Sequence, residues 1–314
     1  MDELTRLVQQ AESLGYHSVW IPEAWGRDSF TVLGALAAQT STIRLATGIV
    51  NIFSRSPTLI AQSAASLDDI SGGRAILGLG ASGPAVIQRW HGMPFRDVLQ
   101  RTREYVDVIR MTLSGERVNY DGQIVRLHDF ALAFDPPRPD IPIYLAAIGP
   151  ATIRLAGEIA DGWLPIFVAP DAFRRMYGSL LEGERKAGRK RTAVTTAAYI
   201  PSLIGPGEDH LLRAHIAYYM GGMGSFYADL LTRSGWARQA DRMQQEWKRG
   251  DRRAAGQAVT DDMLESLTIS GSAEEARSRL AAFRKVGIDL PILAIPHGSP
   301  LDMVARTIEA LAGT

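Results

Sequence analysis

The sequence predicts an α/β fold, a (β/α)8 TIM barrel with an insertion region whose first strand is missing from this chain. Three observations carry that expectation. Strand-like and helical segments alternate at a repeat of roughly 25 to 40 residues with no antiparallel block between them, the rhythm of a parallel sheet wrapped by helices. Seven strands can be counted, each followed by a helix or a helical insert, with one helix ahead of the first strand. An open doubly wound sheet shares the alternation, but seven βα units behind an orphan helix match an eight-unit barrel short of one strand. Finally, 314 residues with 46% hydrophobic content can bury a large core within a single domain over 1–314.

The elements follow in order. Leu4, Leu7, Val8, Ala11 and Leu14 recur at helical spacing, and Gly15 is placed to cap that helix. Ser18 to Glu23 is a short apolar strand ending in a carboxylate, and a helix over 31–39 leads to the next strand. That second strand, Ile43 to Val50, holds Gly48 in its middle. A glycine inside a strand marks a bulge or a place where something comes close to the backbone. The polar turn Ser54-Arg55-Ser56-Pro57 precedes a helix over 58–70, closed by Ser71-Gly72-Gly73-Arg74. Ala75 to Gly80 is the third strand, and helix returns over 95–113.

Residues 119–134 form an irregular insert with a hairpin at Asp121-Gly122. The fourth strand, Ile143 to Ala147, is followed by a helix over 151–160. The fifth, Trp163 to Phe167, is followed by a helix over 171–187. The sixth, Ala193 to Ile200, leads into a helical insert at about 205–265, and Leu290 to Ile295 is the seventh. With the first strand missing, Ser18–Glu23 and Leu290–Ile295 should face each other across a gap with unpaired edges.

Composition excludes several functions. Lys plus Arg and Asp plus Glu both number 34, so no basic footprint points to nucleic acid or to a membrane surface. The absence of cysteine removes disulfides, thiolate catalysis and cysteine-ligated metals. The first residues lack the basic and apolar regions of a signal peptide, and no apolar run can span a bilayer, so a cytoplasmic protein is expected. The histidines show no metal spacing, since His210 and His215 do not share a helical face, and no metal is expected. Gly78-Leu79-Gly80 is too short for a dinucleotide fingerprint, and neither a nucleophile elbow nor a phosphate-loop lysine motif is present.

In a parallel barrel, ligands bind at the carboxyl ends of the strands. Those ends are Glu23-Ala24-Trp25, Gly48 to Asn51, Gly80-Ala81-Ser82, Ala147-Ile148-Gly149, Pro165-Ile166-Phe167, Tyr199-Ile200 and Pro296-His297-Gly298. Small residues and backbone dominate, which suits a large flat cofactor better than a proton relay. Gly149-Pro150-Ala151-Thr152 opens a helix whose free N–H groups and dipole can seat a phosphate; an ordinary capped turn has the same sequence. Gly221-Gly222-Met223-Gly224, after Tyr218-Tyr219, reads as a lid or pocket wall, or else as helix packing.

Taken together, Ser18 to Gly26, Thr47 to Pro57, Ser71 to Gly80, Ile141 to Pro150 and Ala160 to Pro165 resemble the luciferase-like monooxygenase superfamily, within it the branch that uses coenzyme F420. The resemblance covers nearly the whole chain in order. It implies a TIM barrel, often dimeric, that holds coenzyme F420 or reduced FMN at the strand ends. It implies that Gly48-Ile49 is a non-prolyl cis peptide backing the central ring, flanked by Thr47, Val50 and Asn51. Glu23 matches an acidic or polar residue near the ring. Gly149-Pro150 and Pro165-Ile166 match the region around the phosphate and side chain of the cofactor, with Gly80, Ala81, Ser82 and Ala147 on the same rim.

The chain departs from the sugar-phosphate dehydrogenases of that superfamily. They carry a histidine where this chain has Ala24, and a glutamate in the loop where it has Ala81-Ser82-Gly83-Pro84-Ala85. That substrate and its acid–base pair are therefore not expected, and no catalytic proton donor is assigned. The leading expectation is a homodimeric oxidoreductase moving a hydride between coenzyme F420 and a small organic substrate. The alternatives are a reduced-FMN monooxygenase and a cofactor-binding protein without turnover.

Overall fold

The computed structural model describes residues 1–313. Its strands are β1 (Ser18–Ile21), β2 (Arg44–Thr47), β3 (Val50–Asn51), β4 (Ala75–Gly80), β5 (Val118–Asp121), β6 (Arg126–Phe130), β7 (Ile143–Ala146), β8 (Gly162–Leu164), β9 (Thr195–Thr196), β10 (Tyr199–Pro201) and β11 (Ile292–Ala294). The main sheet runs β1-β2-β4-β7-β8-β9, with β3 also on β4, and every pairing in it is parallel. β10 continues from β9, bridges Ile166 through Tyr199, and pairs in parallel with β11. Among the described residues this makes seven consecutive strand positions. The expected sixth strand is β9 and β10 together, bonded alternately to its two neighbours as an interior parallel strand is, Ala197 N–H to Trp163 O (2.8 Å) and Ala198 N–H to Leu290 O (3.2 Å).

The sheet curls. Trp20 of β1 packs edge-on against both Tyr144 of β7 (5.5 Å between centroids) and Tyr199 of β10 (6.1 Å), which lie far along the strand order. The inner face is filled by Ala46, Ile76, Tyr144, Leu164, Ala197 and Ile292. The outer face meets the helices through Leu33, Leu36, Ile60, Leu77 and Leu79, each fully buried and each contributing roughly 1.5–3 kcal/mol. β4, buried along all six of its residues, reads as the continuous apolar run that a covered parallel strand requires.

β1 and β11 share no backbone ladder among the described residues. Outside them the first helix (Asp2–Ser13) and the last (Leu301–Ala310) are joined by Gln10 Nε2 donating to Glu309 Oε1 at 2.8 Å. Tyr16 Oη donates to Ile308 O at 2.8 Å beside them.

Local signals account for the element ends. Ser56 Oγ accepts from Leu59 N–H (3.2 Å) to start the helix Pro57–Ser71, and Gly72 ends it in the left-handed region (φ 68°). The expected hairpin is β5–β6, antiparallel, its turn held by Glu104, whose carboxylate accepts from the N–H groups of Gln123, Ile124 and Val125 at 2.7–2.8 Å. The helical insert consists, among the described residues, of helices Glu208–Gly222, Ser225–Arg233, Ala237–Arg249, Arg252–Gln257 and Asp261–Leu267. They form their own apolar cluster, Leu212, Ile216, Met220, Leu231, Met243 and Met263, which takes in Phe167 from the rim. No helix among the described residues is long and apolar enough to cross a membrane.

Candidate active site

Gly48 and Ile49 sit where the second strand changes register. Ala46 pairs with Ile76 and Val50 with Leu79, so the three residues between them on this strand, Thr47, Gly48 and Ile49, oppose two on β4, Leu77 and Gly78. The extra residue makes a β-bulge. The Gly48-Ile49 peptide is cis, as the resemblance implied. Gly48 N–H donates to Ile21 O (2.7 Å), and Ile49 O accepts from Glu23 N–H (3.2 Å). Across the bulge Thr47 Oγ1 takes over the ladder, donating to Gly78 O and accepting from Gly78 N–H, both at 2.8 Å.

The space around the bulge explains its residue types. A β-carbon on Gly48 would stand 2.0 Å from Tyr199 Oη. Ile49 lies over Gly80, where a β-carbon would meet the Ile49 side chain at 3.1 Å and that of Ala146 at 3.1 Å. Thr47, Val50 and Asn51 are buried, so their side chains support the bulge from behind. Asn51 Oδ1 accepts from Phe53 N–H (2.9 Å) and Ser54 N–H (2.7 Å), fixing the turn that follows.

Glu23 is engaged. Arg55 Nε donates to its Oε1 (2.9 Å) and Nη2 to its Oε2 (2.8 Å), while Ser29 N–H donates to Oε2 (3.2 Å). Arg55 also pairs with Asp28. The hydrogen bonds from Arg55 to Glu23 keep the guanidinium above its usual range despite partial burial. For Asp28, burial works upward, but hydrogen bonds from Thr31 and the Arg55 charge outweigh it and hold the carboxyl low.

The next two strand ends converge. Gly80, Ala81 and Ala147 line one cleft together with Thr102 and Thr152. Ser82, beside it, is left-handed (φ 58°). Gly149 caps the helix Pro150–Ile159, with Thr152 Oγ1 donating to Gly149 O (2.9 Å). The Ala147 carbonyl is taken by Trp163 Nε1 (2.9 Å). Pro165 O accepts from Tyr199 N–H (2.9 Å), and Ile166 bridges Tyr199.

Above Tyr199 the insert supplies groups that local sequence reading missed. Phe167, left-handed at φ 52°, meets Tyr219 (5.1 Å), Tyr227 (6.2 Å) and His215 (6.0 Å). Burial raises the phenol pKa of Tyr199, Tyr219 and Tyr227, and lowers the His215 imidazole to about 4. All four are therefore neutral near pH 7. Tyr199 Oη and His215 Nε2 are buried without a hydrogen-bond partner. The adjacent pair Tyr218-Tyr219 was visible in the sequence, but nothing local said which ring faces the sheet.

The glycine knot serves helix packing. β-carbons on Gly221 and Gly222 would collide with the Trp247 ring at 2.4 and 2.9 Å, so the glycines let that ring lie across the helix. Met223 O faces Gly83 in the loop after β4, 3.1 Å from where a β-carbon would be.

The rim is thus a wall of backbone and small side chains, with the nearby acid neutralised by Arg55 and neutral phenols beneath and above. These residues fit the flat apolar face of a tricyclic cofactor ring; Gly48 and Gly80 are themselves covered, Gly48 by Tyr199 and Gly80 by the side chains of Ile49 and Ala146. The luciferase-like monooxygenase family matches residues 1–290, and the chain belongs to that family. A putative coenzyme F420-dependent oxidoreductase of Mycobacterium tuberculosis is 34% identical over 309 residues, covering 91% of this chain and 89% of the relative. A 5,10-methylenetetrahydromethanopterin reductase of Archaeoglobus fulgidus is 32% identical over 305 residues, covering 94% and 90%. The structure of a coenzyme F420-dependent tetrahydromethanopterin reductase from Methanopyrus kandleri superposes with a TM-score of 0.88 at 28% identity, covering 99% of this chain and 94% of that one. These relatives are oxidoreductases, and the chain is placed in that enzyme class with them.

Proposed function

We propose that the chain is a coenzyme F420-dependent oxidoreductase that transfers a hydride between the deazaflavin and a small organic substrate. The reading takes the curled sheet as seven staves of a (β/α)8 barrel and the chain as one domain acting in a homodimer. The observation that carries it is the bulge at Gly48-Ile49, at the carboxyl end of its strand, in a chain whose relatives carry the names above.

Bound there, the deazaflavin would supply or accept the hydride. The chain's own part is to bind and orient. Gly48 and Ile49 back the ring, Gly80, Ala81, Ser82 and Ala147 leave room along its edge, and Thr47, Val50 and Asn51 hold the bulge in place. Glu23, through Arg55 and Asp28, fixes the turn after β3. Gly149 and Pro150 present the helix N-terminus to a phosphate, and Pro165 and Ile166 close the far side. Tyr199 keeps its proton on Oη, since burial holds its phenol neutral.

Titration of the purified protein with coenzyme F420 and with FMN tests the reading. We expect the deazaflavin visible band to shift on binding, and turnover with some member of a panel of enones, imines and alcohols. Tight FMN binding without response to the deazaflavin would overturn it in favour of a flavin monooxygenase. Deazaflavin binding without turnover across the panel would favour a carrier, the reading that Ala24 and the acid-free loop at 81–85 support.

A further inference from the structure

Two large aromatic side chains stand half in water at the rim. Trp25 is 58% exposed and Trp90 52%, whereas Trp163 is fully buried. Trp25 lies in the loop that leaves β1, and Trp90 closes the π-helix Val86–Trp90 after β4. Their rings meet edge to face at 5.0 Å and 84°. Trp25 rests on Tyr218 of the insert (5.9 Å), and Tyr218 rests on Trp247 (5.7 Å) and Tyr219 (5.7 Å). Tyr219 in turn reaches Phe167, which follows β8 on the opposite part of the rim. The two indoles are therefore the exposed end of a continuous row of rings that runs back to the strand ends.

Aromatic surface left in water and packed edge-on against neighbouring rings marks a place where a ligand completes the packing. A π-helix inserted at that position is a further mark of a functional site. The loop offers no competing charge from its own acids, because Glu23 and Asp28 are both held by Arg55. We infer that Trp25 and Trp90 form the substrate wall of the proposed active site and select a planar, unsaturated ring. The inference rests on the proposed oxidoreductase reading for the identity of the site, and its test separates the two.

The test compares 1-tetralone, flat and conjugated, with 1-decalone, the puckered saturated analogue of the same skeleton. Both are titrated by calorimetry into the protein with coenzyme F420 present, and also into the Trp25→Leu and Trp90→Leu variants. We expect the parent to bind 1-tetralone about tenfold more tightly than 1-decalone. Each variant should lose most of that preference while melting normally and keeping its coenzyme F420 affinity. Equal binding of the two ketones, no binding of either at millimolar concentration, or a preference that survives both substitutions would overturn the inference. So would a change of oligomeric state in the variants without a change in ring preference, which would make the indoles a contact between copies. A tryptophan-dependent ring preference in a protein that does not bind the deazaflavin would leave the wall standing and remove the cofactor reading instead.

Discussion

Tyr199 Oη occupies the place that a β-carbon would take on Gly48, 2.0 Å from its ideal position. The phenol reaches there from β10 and lies beside Trp20, so the glycine of the bulge serves a partner inside the protein as well as any ligand at the rim. The ring of Tyr199 covers that face of the strand and admits no side chain at Gly48.

Gly48→Ala should therefore destabilise the fold. The added methyl meets Tyr199 Oη and, at 3.2 Å, Trp20 Cβ, an overpacking that costs about 1–3 kcal/mol. Combining it with Tyr199→Phe should recover part of the loss, because the oxygen is gone while Tyr199 Cζ remains at 3.2 Å. Thermal melts of the two single variants and the double variant measure the coupling; strict additivity would refute the contact.

Thr47 bridges the break in the ladder with one hydroxyl. Thr47→Val leaves a buried N–H and a buried carbonyl of Gly78 without their partner and should cost about 1–3 kcal/mol, whereas Thr47→Ser should keep most of the stability. Urea denaturation of the three proteins distinguishes the hydroxyl from the methyl.

Asp68, fully buried, is held by Arg138 through two hydrogen bonds of 2.9 Å, and it also accepts from Ala75 N–H at 3.0 Å. Arg138→Met strands a buried carboxylate and should cost about 3–5 kcal/mol. Asp68→Asn/Arg138→Met, which removes the stranded charge, should be less damaged than Arg138→Met alone. The order of the two denaturation midpoints decides it.

His215 predicts a pH dependence. Its burial lowers the imidazole from 6.5 to about 4, so the unfolded chain takes up a proton more readily than the folded one. The neutral ring's contribution, about 3 kcal/mol, is present above pH 6.5 and is lost as the pH falls toward 4. Parent and His215→Leu melts across pH 7.5 to 4 should show the parent falling more steeply below 6.5; parallel profiles would place the proton elsewhere.

The strand ends and the bulge were legible because their signals are local. Gly48 in an apolar run, Pro57 after a polar turn, and Gly72-Gly73 after a helix each act within a few residues. What stayed hidden depends on long-range approach. Tyr199 gave no sign of Gly48, and His215 looked like a histidine without a metal partner rather than a ring buried beside Phe167 and Tyr219. Glu23 was expected near the ring, and the structure adds that Arg55 holds it, a pairing that only the fold of the turn creates. Trp90 carries no local signal, because nothing in its sequence neighbourhood distinguishes an exposed indole from a buried one.

The edges of β1 and β11, unladdered among the described residues, leave the curled sheet with a seam fastened from outside. Its clasp is made of side chains, Gln10 to Glu309 and Tyr16 to Ile308 O, with no amide rungs beneath. With side-chain contacts and the packing of Val8 and Leu311 in place of a ladder, solvent should enter the sheet there first. Amide protons of β1 and β11 that face the seam should exchange with deuterium well before those of β4 and β7, which are laddered on both sides.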